Sequence, residues 1–529
     1  MRMRRRRAPF SCAVALLVVT LTSGCRAARA PVVSDPWPER LREADAAAAE
    51  GCYRCLERAL REYDAGVAAG HADPTFGARA YRVAVHLAVR ERLLGLFPGR
   101  YQDAPGRWVA AAPPDDAAAG ADVVPAVTWR RGTATAGVGP FVASEDVGRL
   151  RARRVALEAR ADADPWVATL LLALVGTNPV LGLDEGRPPA PGTLPGLEPE
   201  IWAQRHPDDP SLGFTRLVLL RSSIDVLDAF RATHASFVEL DVIAGEAELA
   251  RGRLVSADET LARALAEFPS LVPALALRGD LRQRMEDYAL AVDLYTTLLA
   301  RLPDHREALL GLTKSLGFLG RHAEAIAAAD RMLAFGTWYM GEAFYWKAWN
   351  LYTIGRLDDA RASVDDARRL LVNADVHYLG GVIAFKQGRH DDAGTDFDAA
   401  IDLESRHCEA HFDRAALRLT RRVWPAAAAG FDEAFECLDA RTPVLEQRIV
   451  DARDARLADA AREVLVHRRE QALRDHRRQQ AWARYNGGVG YANAGDPTKA
   501  RTRAGEAIAI GGPAAEAAER LLPQLPPLP

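Results

Sequence analysis

An all-α fold, built as an array of stacked helix pairs, is what this sequence predicts, and three observations predict it. Small residues recur at a nearly constant period through the second half of the chain, glycines recur at a fixed offset before them, and larger apolar residues recur at a fixed offset after them. At 529 residues the chain is also too long for one compact core, so several domains or an elongated array is expected.

The small residues are Ala257, Ala291, Ala325, Ala360, Ala393, Ala427, Ala461 and Ala500, at spacings of 34, 34, 35, 33, 34, 34 and 39. Alanine is abundant here, so independent columns matter more than the string itself. Five residues earlier stand Gly252, Gly320, Gly355, Gly388 and Gly495, placed for the tight left-handed turn between paired helices. Four residues later come Leu261, Tyr295, Val364, Phe397, Phe431 and Leu465. Pro269 and Pro303 end two second helices, because proline cannot continue them.

These columns resemble the tetratricopeptide repeat, a helix pair of 34 residues, most closely over Gly245–Pro269, Gly381–Ala400 and Gly488–Ala507. The resemblance implies a right-handed α-solenoid with a concave groove, since each pair covers its apolar face only by stacking on a neighbour. It spans residues 238–515 as an array over 238–440, an irregular charged helical segment over 441–480, and a last repeat over 481–515. In the charged segment, the basic stretch from His467 to Arg478 reads as a solvated helical face rather than a polyanion or lipid-headgroup contact. Residues 516–529 read as a proline-rich tail.

The amino-terminal half is an additional, irregular helical region. Residues 38–102 read as degenerate, repeat-like hairpins, with Gly51, Tyr53, Leu56 and Leu60 resembling a second helix. Residues 103–144, rich in Ala, Gly and Pro with little periodicity, read as a linker, and 145–233 as irregular helices. Ahead of all this, residues 1–24 form a signal peptide: five arginines, then an apolar run from Ala8 to Leu21. Leu21-Thr22-Ser23-Gly24-Cys25 resembles the lipobox of bacterial lipoproteins, with Thr22 where leucine is usual. That resemblance implies lipidation at Cys25, a tether over residues 25–37, and, with Arg26 following the cysteine, an outer-membrane lipoprotein facing the periplasm. The alternative is an ordinary secretory signal and a soluble periplasmic protein.

Of the remaining cysteines, Cys52 and Cys55 read as buried small apolar residues, the alternative being a redox pair, and Cys408 and Cys437 flank one repeat. Removing the five signal arginines takes the formal charge from −3 to −8, which offers no electrostatic footprint for nucleic acid. No catalytic, phosphate-binding or dinucleotide motif is present, so no enzyme, cofactor or metal is expected. His407 and His411 share a helix face but read as repeat sequence, not as a metal site.

The groove implied by the resemblance supplies the candidate binding residues. Its inner positions are Lys314, Tyr345, Trp349, Tyr352, Tyr378, Lys386, Phe412 and Tyr485. Tyr345, Trp349 and Tyr352 share one helix face by their spacing, and they read either as groove lining or as inter-helix filling. Lys314 and Lys386 suggest a guest bearing a carboxylate. The expected function is a non-enzymatic scaffold whose groove takes protein or peptide segments of an envelope assembly. The alternative is a solute- or glycan-binding component beside an envelope transporter.

Overall fold

A computed structural model describes residues 37–70, 75–96, 99–126, 144–178, 202, 204–220, 224–335, 340–454 and 459–526. The signal peptide, Cys25 and the tether up to residue 36 lie outside the described residues. Within them the chain forms 24 α-helices and no extended strand, and no helix is long and apolar enough to cross a membrane.

The amino-terminal half contains α1 (Trp37–Glu50), α2 (Tyr53–Ala68), α3 (Thr75–Leu94), α4 (Ala104–Trp108), α5 (Pro114–Ala126), α6 (Ser144–Ala161), α7 (Pro165–Thr177), α8 (Pro210–Leu220) and α9 (Ile224–Thr233). The expected linker over 103–144 is corrected for residues 104–126, which carry α4 and α5; residues 127–143 lie outside the described set. Two features build α5 despite its weak periodicity. Asp115 and Asp116 sit in its first turn, where the helix dipole favours acids. The buried Asp116 is held by Arg82 (2.8 Å) and Arg160 (2.6 Å).

This half shares one apolar core with the first units of the array, running from Ala44 to Leu281. A buried ion pair ties the two together. Arg90 of α3 meets Glu239 at 3.0 Å, and Glu239 also accepts the Tyr53 backbone N–H. Removing one partner of such a pair strands a buried charge, a loss of about 3–5 kcal/mol.

The array follows as α10 (Asp241–Ala250) with α11 (Leu254–Glu267), α12 (Val272–Arg284) with α13 (Tyr288–Leu299), α14 (Arg306–Phe318) with α15 (His322–Ala334), α16 (Met340–Thr353) with α17 (Leu357–Leu370), α18 (Ala374–Lys386) with α19 (His390–Leu403), α20 (Cys408–Thr420) with α21 (Trp424–Asp454), and α22 (Asp459–Asn493) with α23 (Pro497–Ile510). Each helix packs on the next, and successive first helices also touch one another, so they form the inner layer of an all-α solenoid.

The columns explain this stacking residue by residue. Ala257, Ala291, Ala325, Ala360, Ala393, Ala427 and Ala500 are all fully buried. Gly245, Gly279 and Gly381 of first helices face the large residues Leu261, Tyr295 and Phe397, and a Cβ there would come within 2.7, 2.6 and 2.6 Å. Tyr295 is wedged further against Gly311 of the next unit. Gly252, Gly320, Gly355, Gly388 and Gly495 all take φ between 73° and 83°, the left-handed turn that glycine adopts without steric cost.

Three expectations are corrected here. Ala461 marks no separate unit: α21 runs on to Asp454 through Pro443, and α22 begins at Asp459, so the two long helices pair directly. Residues 516–526 are not a tail, because α24 (Pro513–Leu521) caps the array, burying Ala514 and Ala518, while Arg501 holds the Leu525 carbonyl at 2.8 Å. Cys52 and Cys55 are disulfide-bonded, as are Cys408 and Cys437.

Candidate functional site

The centre of the inner layer holds a cleft of about 490 Å³. Tyr345, Trp349 and Tyr352 line it from α16, and Asp375, Tyr378, Leu379 and Val382 from α18. Glu404, His407, Glu409 and Arg441 close its other side. The three α16 residues lie four and three positions apart, which places them on one face of that helix.

Close packing behind α16 fixes their position. Gly317 of α14 admits no Cβ, since one would come within 2.9 Å of Asn350 and 3.0 Å of Trp349. The buried Asn350 donates to the Trp346 carbonyl at 2.7 Å, and its Oδ1 lies 2.9 Å from His322 Nδ1. Rings continue outward from the cleft: Trp349 lies 5.7 Å from both Trp346 and Phe318, and Phe318 stacks on Tyr288 at 4.7 Å. Such pairs add about 0.5–1.5 kcal/mol each beyond area burial.

The polar side is built from helix starts. His407 caps α20, its Nδ1 accepting the Ala410 N–H at 3.2 Å, while its Nε2 lies 3.3 Å from Asp375 Oδ1. His411 Nε2 instead lies 3.0 Å from the Ser405 carbonyl, so the two rings serve separate backbone contacts. Burial works against a charged His407, but Asp375 and Glu409 outweigh it and hold the ring above its ordinary value. Glu409 grips Arg441 of α21 through both oxygens, at 2.6 and 3.4 Å.

Beneath Tyr378 sits a carboxyl. The Tyr378 hydroxyl donates to Asp413 Oδ2 at 2.9 Å. Burial pushes the Asp413 carboxyl up to about 6; Glu409 adds to the shift, while the Tyr378 hydrogen bond and His407 oppose it. Burial and Asp413 together drive the Tyr378 phenol well above its ordinary value, so it stays a neutral donor.

Of the residues the sequence nominated, the structure brings Tyr345, Trp349, Tyr352 and Tyr378 into one cleft, with Lys386 at its edge, 4.7 Å over the Tyr352 ring. The others fall elsewhere. Lys314 is not available to a guest's carboxylate: it pairs with Glu342 at 3.0 Å. Phe412 packs edge-on against Phe431 of its own unit, and Tyr485 against Trp482 near the carboxyl-terminal cap. The lining residues that sequence reasoning missed are Asp375, Leu379, Val382, Glu404, Glu409 and Arg441, together with His407 in a capping role. One signal could have found the cap: His305, Asn373 and His407 cap first helices at multiples of the 34-residue period.

A tetratricopeptide-repeat family model matches residues 277–337 and 345–407. The chain carries tetratricopeptide repeats. The matched stretches include α16 from Tyr345 onward, α18 and His407, and so most of the cleft wall. Solved structures are similar as well. A tetratricopeptide-repeat protein from Parabacteroides merdae is 15% identical, with 54% of this chain and 97% of that one covered and a TM-score of 0.35. A Thermus thermophilus repeat protein is 19% identical, with 34% and 99% covered and a TM-score of 0.29. YrrB, described as a repeat protein with an unusual peptide-binding site, is 17% identical, with 42% and 97% covered and a TM-score of 0.30. At such identities and scores these likenesses carry no functional argument. No curated protein matches the chain.

The cleft's lining combines four aromatic side chains, Tyr345, Trp349, Tyr352 and Tyr378, with paired charges.

Proposed function

We propose that this chain is a non-enzymatic interaction scaffold, held in a bacterial envelope by lipid on Cys25, whose repeat cleft grips a segment of a partner protein. One observation carries the reading: successive repeats converge Tyr345, Trp349, Tyr352 and Tyr378 on one partly open cleft. Tyrosine and tryptophan supply contact area at low entropic cost and keep a polar handle, which is how protein interfaces concentrate binding energy. The lipobox-like Leu21–Cys25 supports the anchor, and two disulfides fit an oxidising compartment such as the periplasm. No observation favours the solute- or glycan-binding alternative.

The test is affinity capture from detergent-solubilised membranes with the intact chain and with Tyr345→Ala/Tyr352→Ala. A defined protein retained by the first and lost by the second supports the scaffold. Capture indifferent to the two tyrosines overturns the cleft assignment. Fractionation tests the anchor: Cys25→Ser should move the chain from membranes to the soluble fraction, and an unchanged membrane fraction contradicts lipidation.

A further inference from the structure

We propose that the guest the cleft selects is a cationic side chain, lysine or arginine, carried on a partner segment; this rests on the reading of the cleft as the partner site. The first support is the lining. Tyr345, Trp349, Tyr352 and Tyr378 line the cleft, and the negative quadrupole of an aromatic face attracts a positive group and is indifferent or repulsive to a carboxylate.

The charges agree. Three lining carboxylates, Asp375, Glu404 and Glu409, stand against the guanidinium of Arg441 and the imidazole of His407. Arg441 is already engaged by Glu409 through two contacts, so it has little left to offer an anion. Glu404 is exposed at the cleft, while the exposed Asp375 lies 3.3 Å from His407 Nε2. An entering carboxylate would meet both, with Asp413 behind Tyr378.

The chain itself supplies a precedent. The Lys386 ammonium sits 4.7 Å over the Tyr352 ring, so a ring of this very site already holds a cation. Lys314, the other residue that could have drawn a carboxylate, is neutralised by Glu342. The guest inferred from the lining is therefore a base, where Lys314 and Lys386 in the sequence suggested an acid.

The experiment uses the full chain in detergent and three labelled nonapeptides of one design: Gly-Ser-Lys repeated, the same peptide with every lysine acetylated, and Gly-Ser-Glu repeated. Fluorescence anisotropy reads binding. The lysine peptide should bind, acetylation should weaken it by about tenfold, and Tyr352→Ala should weaken it by a similar factor. Glu404→Gln should weaken it without moving the thermal midpoint, because that side chain is exposed. Equal or tighter binding of the glutamate peptide, lost in Tyr352→Ala, would overturn the charge selection and leave the cleft assignment standing. Lysine-peptide binding that ignores Tyr352→Ala, or no binding at all, would overturn both. Binding that ignores Glu404→Gln overturns the charge selection alone.

Discussion

Arg422 takes φ of 61°, in the left-handed region where five other inter-helix turns of the array place glycine. A side chain there costs about 1–2 kcal/mol, part of which glycine returns as unfolded-state entropy. Arg422→Gly is therefore expected to stabilise the chain by about 0.5–1 kcal/mol, read as a higher urea midpoint; a lower midpoint contradicts the turn assignment. Glu286 shares the conformation at φ 61° but also pairs with Arg469 at 2.5 Å, so its exchange would mix two effects. Asp413 carries a pH signature. Its folded carboxyl titrates near 6 against an ordinary 3.8, so the native state holds the extra proton between those values and stability falls as pH rises through them. Asp413→Asn should then stabilise at pH 7 by up to about 3 kcal/mol and show no gain below the ordinary carboxylate range, measured as urea midpoints across pH. The alanine and glycine columns were legible in the sequence because steric need repeats with the unit. Asp413 was not, since its burial arises from neighbours on other helices and has no period.

At the scale of elements, the Cys408–Cys437 disulfide ties the start of α20 to α21, the two helices that carry Glu409 and Arg441. Closing a loop of 29 residues constrains the unfolded chain by about 3–4 kcal/mol. Cys408→Ala/Cys437→Ala should lower stability by about that amount and speed amide exchange in α20 and α21; unchanged exchange would show the staple to be idle. The second helices and turns of the array could be read in advance because their apolar spacing is regular. Two elements could not. Helix α5 buries one narrow face, with only Ala119, Val123 and Val124 apolar on it, too little to register as periodicity. Helix α21 runs on through Pro443, past the bound expected for the array at residue 440; its pairing with α22, including the buried Leu438 and the His476 contact to the Leu438 carbonyl at 2.8 Å, holds the helix despite the missing N–H.

Across the whole molecule, units far apart in the array meet. Arg468 and Arg469, part of the basic stretch of α22, reach the Glu286 carbonyl and carboxylate between α12 and α13, 182 residues away in sequence for the first contact. The charges read from sequence as a solvated face are thus partly a fastening, a role invisible without the curvature that brings α22 back. Arg468→Glu/Arg469→Glu should loosen it, raising the radius of gyration in solution scattering with helix content unchanged; high salt should act in the same direction, since screening reaches about 3 Å at 1 M. An unaltered radius in both contradicts the fastening. The central claim is that stacked repeats turn one face of α16 and α18 inward to hold a partner. Its most direct measurement is photo-crosslinking in intact cells, with benzoylphenylalanine replacing Tyr352 of the cleft or, as a control, the exposed Asp402 of α19. A discrete adduct from position 352 and none from 402 is the predicted result, and adducts of equal yield from both, or none from 352, would contradict it.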